Sequence, residues 1–86
     1  MLNVYIIESI ATLKWYYGLT DRTSKDRLAE HNGNHHYFTA NKGPWKLIFV
    51  RSLENKTDAM SFEKRLKSLR NKIFIRKEFP RYFLIE

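Results

Sequence analysis

The sequence predicts an α/β (α+β) fold: a small three-stranded antiparallel sheet flanked by helices, in the order β-β-α-β-α-α. Three observations predict it. Apolar runs rich in β-branched and aromatic residues at 2–8, 13–20 and 45–52 have the length and composition of strands. The segment 57–70 repeats apolar residues at helical spacing. With 86 residues and 10.4 kDa there is room for one domain, 1–86, and its thin core has no cysteine to staple it. Such a chain must rely on regular elements that pack well.

The first two runs are separated by only a few residues, Ser9 and Thr12 among them, so a hairpin joins them most economically. The linker lacks the Asn-Gly or glycine of a tight turn, whereas Gly18 sits late in the second run, where a backbone can be approached closely. Residues 23–32 read as a helix, with Thr23 to cap it, Asp26 three residues on, and Asn32-Gly33 to stop it. Residues 34–43 are polar and aperiodic, a loop closed by Pro44. The third run is apolar on both faces, as a covered strand would be. In the helix expected at 57–70, Thr57 is the cap and Asp58 suits the positive end of the helix dipole. Ala59, Phe62, Leu66 and Leu69 form its core stripe. Glu63 falls about 40° from Ala59 at about 100° per residue, so its carboxylate is turned toward the sheet. Residues 71–86 read as a short helix around Ile73, Phe74 and Ile75, then an irregular tail beyond Pro80.

Charge gives the first functional indication. Sixteen Lys and Arg against nine Asp and Glu leave a formal net charge of +7, with a sequence pI near 9.9. A surplus of this size attracts polyanions. From Lys64 to Arg81 stand Lys64, Arg65, Lys67, Arg70, Lys72, Arg76, Lys77 and Arg81, opposed in that span only by Glu78. Lys64, Lys67 and Arg70 share a helix side that, with Lys72, can neutralise phosphates and bind in a salt-sensitive way. Absent cysteine excludes disulfides and thiol or cysteine-zinc chemistry. No apolar run reaches the roughly 18 residues of a membrane span. The start carries Glu8 and no basic leader, which sets the expected compartment as the cytoplasm. His31, His35 and His36 lack the partners of a metal cluster, and His35, His36 and Tyr37 read as loop residues that touch DNA or solvent.

If the first two strands pair, Tyr5 and Tyr16 can share one sheet face, since side chains alternate with period two. Arg27 and His31, four residues apart, share one side of their helix. Arginine suits bidentate phosphate contact, and histidine can move a proton near neutral pH.

These pieces resemble the GIY-YIG nuclease superfamily, in particular its small stand-alone members. The resemblance rests on Asn3-Val4-Tyr5, on Tyr16-Tyr17-Gly18, on Arg27-Leu28 followed by His31-Asn32, on the strand entry at 39–50 (TANKGPWKLIFV), and on 57–66 (TDAMSFEKRL). It covers roughly residues 4–69, with the motifs in the family's order and spacing. The chain departs from the pattern in having Asn3 for the first glycine, Asp26 for the first of two arginines and Ser24 for a helix leucine. The resemblance implies a metal-dependent DNA endonuclease, with repair or recombination as its setting. Glu63 would hold one divalent metal ion, Mg2+ or Mn2+. Tyr5 would activate a water, Tyr16 would hold that water or a phosphate oxygen, Arg27 would stabilise phosphoryl charge, and His31 would assist or relay a proton. DNA is the expected partner, with RNA the second choice. Two other readings are an inactive nucleic-acid-binding module of the same fold and a domain that docks on a partner protein.

Overall fold

The computed structural model describes residues 2–21 and 44–84. Three strands, β1 (Leu2–Ser9), β2 (Trp15–Thr20) and β3 (Trp45–Leu53), are followed by helices α1 (Lys56–Leu69) and α2 (Lys72–Glu78) and a 3-10 turn at Pro80–Tyr82. The helix expected at 23–32 and the loop at 34–43, and with them Arg27, His31, His35, His36 and Tyr37, lie outside the described residues.

The sheet is antiparallel with β1 in the centre, in the order β2-β1-β3. Val4, Tyr5, Ile6 and Ile7 on β1 are all fully buried, which requires cover on both faces. Strand alternation divides them. Val4 and Ile6 join Phe49, Ala59, Phe62, Leu66 and Ile75 in the larger core, whereas Tyr5 and Ile7 join Trp45 in a smaller one on the opposite face. Each large apolar side chain so buried contributes about 1.5–3 kcal/mol. β3 reaches both cores partly through a bulge: Ile6 lies opposite Phe49 but Ile7 lies opposite Leu47, so Ile48 is the extra residue.

The turn between β1 and β2 works without glycine. The Ser9 hydroxyl accepts from the Thr12 N–H at 3.0 Å, and the Leu13 N–H donates to the Ser9 carbonyl at 2.8 Å. Leu13 takes the left-handed conformation, φ 63°, so β2 starts at Trp15 and not at residue 13. The Ile10 N–H donates to the Pro44 carbonyl at 2.9 Å, joining the turn to the entry of β3.

α1 starts one residue before the sequence suggests. Asn55, not Thr57, is its cap: the Asn55 side chain accepts from the Asp58 N–H at 3.0 Å. Asparagine is among the strongest capping residues, and the capped N–H lies three residues on, where the geometry requires it. The expected stripe is observed, with Ala59, Phe62 and Leu66 buried and Leu69 partly so. Asn71 caps α2 in the same way through the Phe74 N–H.

The chain beyond Pro80 is not irregular. After the 3-10 turn, Phe83 forms an antiparallel bridge with Phe49, and the Leu84 N–H donates to the Ile48 carbonyl at 2.9 Å, at the bulge. Phe49 meets Phe83 edge-on at 5.0 Å and Tyr82 at 5.8 Å between ring centroids. The Arg51 guanidinium lies 4.4 Å from the Phe62 ring centre and 5.0 Å from that of Tyr82. Aromatic packing thus draws the tail onto the outer side of β3.

Candidate functional site

The two expected tyrosines do share a face. Tyr5 lies opposite Gly18 and Ile7 opposite Tyr16 in the β1–β2 register, and Tyr16 packs against the core of Tyr5, Ile7 and Trp45. Gly18 is required by its neighbour: a Cβ there would lie 2.2 Å from Cζ, 2.3 Å from Oη and 2.6 Å from Cε1 of Tyr5. The Tyr5 ring therefore lies directly across the backbone of β2. Tyr5 has no exposed surface, whereas Tyr16 is half-buried and retains some. Tyr17 belongs to the other face, edge-on to Trp15 at 6.3 Å, where burial raises its phenol above the ordinary value.

Glu63 is on α1, which packs on the face opposite Tyr5 and Tyr16 and lies against β1, β2 and β3. It is half-buried, as its place at the stripe's edge predicts. One carboxylate oxygen lies 3.6 Å from Lys67 Nζ, one turn further along the helix. The side chain lines an open groove of about 360 Å3 together with Met60, Ser61, Lys64 and Lys67. The structure therefore joins the two phenols to each other and sets Glu63 on the far side of the sheet from them. β2 is an edge strand, so the two faces meet along its outer edge.

Among the described residues no three His, Cys, Asp or Glu side chains gather around a common point. A single carboxylate opening into a groove fits a weakly held hard cation such as Mg2+, which keeps several waters and takes further oxygens from a phosphate substrate. It does not fit a closed structural metal site. The ion pair with Lys67 is long and exposed at its lysine end, hence weak.

Of the four cations expected at a phosphate backbone, Lys64 and Lys67 line the Glu63 groove and Arg70 is exposed at the end of α1, in left-handed conformation with φ 50°. Lys72 is more committed. Its ammonium donates to the Leu13 carbonyl and lies 5.3 Å from the Trp15 ring centre, holding α2 to the hairpin turn. A group that sequence inspection passes over stands at the same end of the sheet: Glu8 accepts from the Trp15 indole N–H at 2.8 Å and faces Lys46. Only the cross-strand register brings these three together, and their local sequence carries no sign of it.

No curated protein and no solved structure matches the chain significantly. Among the described residues no helix is long and apolar enough to cross a membrane. A family model described as the GIY-YIG catalytic domain matches residues 1–78 of the 86. With that match over nearly the whole chain, and with a β1–β2 hairpin carrying Tyr5, Tyr16 and Gly18 in a three-stranded sheet backed by helices, the chain belongs to the GIY-YIG family of nucleases.

Proposed function

We propose that the protein is a metal-dependent endonuclease that nicks DNA, with RNA as the lesser candidate substrate, working as one domain over residues 1–86. The observation that carries this reading is Glu63, a half-buried carboxylate opening into a groove whose other polar walls include two lysines. A phosphate drawn in by Lys64 and Lys67 arrives beside the one acidic group of that groove. Arg70 and Lys72 extend the basic surface along the backbone of the nucleic acid. DNA repair or recombination in the cytoplasm is the proposed setting.

The chemistry is hydrolysis: a water attacks phosphorus, one P–O bond of the backbone breaks, and the leaving oxygen takes a proton. Substrate lying along the outer edge of β2 reaches both faces of the sheet at once. Tyr16, which keeps exposed surface, takes the attacking water in place of Tyr5, whose expected water-activating role its full burial opposes; the Tyr5 ring, locked over Gly18, fixes the strand that presents Tyr16. Arg27 is proposed as the guanidinium on the phosphoryl oxygens, with His31 relaying a proton on the same helix side. A divalent cation, Mg2+ or Mn2+, held by Glu63 would supply Lewis-acid stabilisation of the charge on the phosphoryl and leaving oxygens.

The alternative, a nucleic-acid-binding module of the same fold without useful catalysis, draws support from the full burial of Tyr5 and from the Glu63–Lys67 pair. A supercoiled-plasmid assay with and without Mg2+ separates the two. Cutting is expected to need Mg2+ and to fall by about 100-fold or more in Glu63→Ala and in Tyr16→Phe, the scale of losing a positioned catalytic group. Full cutting by Glu63→Ala overturns the assignment, and tight binding without any cutting favours the module.

A further inference from the structure

α2 carries apolar residues on two opposite sides. Ile75 is fully buried in the larger core. Ile73, two residues earlier, lies about 160° round the helix from it at about 100° per residue, and is turned outward. It is 81% exposed, the highest value among the described large apolar side chains, and Phe74 beside it is exposed as well. A β-branched residue on an open helix crest adds neither helix propensity nor burial to the fold. The helix beneath it is nevertheless firmly seated. Asn71 caps it through the Phe74 N–H at 3.0 Å, and the Lys72 ammonium donates to the Leu13 carbonyl. The Arg76 guanidinium lies against the Trp15 and Phe83 rings.

Those contacts occupy Lys72 and Arg76. Two other cations stand round Ile73: Lys77, about 40° from it on the same crest, and Arg70, in the left-handed residue that ends α1; both are exposed. Glu78, the only carboxylate of α2, falls about 140° away. This charge selects the occupant. An apolar tip among cations complements a polyanion whose apolar interior can be opened, and a nucleic acid is built that way, with phosphates outside and stacked bases within. A second copy of the chain paired through Ile73 would instead set Arg70 and Lys77 against their own counterparts.

We infer that Ile73 is a wedge that enters an unstacked base step, with Lys77 and Arg70 on the flanking phosphates. In an intact duplex, entry costs the stacking of the step it opens, which offsets the gain from burying isoleucine. At a bulge, mismatch or branch point that stacking is already weakened, so the gain appears as a preference. The inference rests on the proposed nucleic-acid substrate and narrows it to DNA with disrupted stacking.

Fluorescence anisotropy tests it, with a short labelled duplex that is either perfect or carries a central bulge, measured without added metal so that neither is cut. The protein is expected to bind the bulged duplex about tenfold more tightly, the scale of burying one isoleucine. Ile73→Ala, a change at an exposed position, is expected to abolish that preference and to leave affinity for the perfect duplex unchanged. Lys77→Gln is expected to weaken both duplexes equally and to lower the salt slope by about 0.9, as loss of one phosphate contact does. A 2-aminopurine beside the bulge is expected to brighten with the native protein and not with Ile73→Ala. Equal affinity for the two duplexes, a preference that survives Ile73→Ala, or Ile73-dependent binding to phosphatidylserine vesicles tighter than to the bulged duplex overturns the inference. Glu63→Ala keeps this test apart from that of the nuclease: it is expected to lose nicking and to keep the preference for the bulge.

Discussion

Gly18 shows how one residue's identity is dictated by a neighbour across the strand. No unusual backbone angle requires glycine there; the Tyr5 ring does, by occupying the place of a Cβ. Tyr5 is fully buried, so its ring cannot make way by turning into solvent. Gly18→Ala is therefore expected to destabilise the protein by about 1–3 kcal/mol, the usual cost of overpacking, as read from urea unfolding. A neutral effect would show that the ring is free to move. At this scale much of the candidate site was legible in the sequence. Period two put Tyr5 and Tyr16 on one face, and the helical wheel put Glu63 at the edge of a buried stripe. The depth of Tyr5 was not legible, since burial depends on what lies above the sheet. Nor was the Glu8–Trp15–Lys46 row, whose members come from three strands paired only in the folded chain.

Among the elements, the strands and helices followed from composition and periodicity, while their ends followed from local hydrogen bonds. α1 begins where Asn55 reaches the Asp58 N–H, and β2 begins at Trp15, after Leu13 has taken the left-handed conformation. Removing that side chain in Asn55→Ala is expected to cost about 1 kcal/mol of stability in chemical denaturation, whereas Thr57→Ala, which removes no cap, is expected to change it by less than half as much. The reverse ranking would restore Thr57 as the cap. The tail after Pro80 illustrates a different limit. Its regularity comes from Phe83 pairing with Phe49 on β3, a long-range contact that no local pattern in the last residues announces.

Among the described residues the sheet carries one apolar core on each face, and the charge surplus is gathered on the C-terminal helices. Its fold class was predictable because three short apolar runs and one amphipathic helix leave few ways to build a core. Its response to alkali follows from Tyr17, whose phenol is raised by burial. The buried neutral form stabilises the fold fully below the unfolded value of about 10, and that contribution is lost as pH rises through the higher folded value. Urea midpoints are expected to fall more steeply as pH rises above about 10 in the native protein than in Tyr17→Phe; parallel curves would contradict this.

The central claim is that Glu63 and the phenols, placed on two faces, serve one reaction at the outer edge of β2. Paramagnetic broadening by Mn2+ tests it most directly. Bound at Glu63, the ion is expected to broaden the ring signals of Tyr16, and the effect is expected to vanish in Glu63→Ala. Broadening that bypasses Tyr16, or that persists without Glu63, would contradict the account.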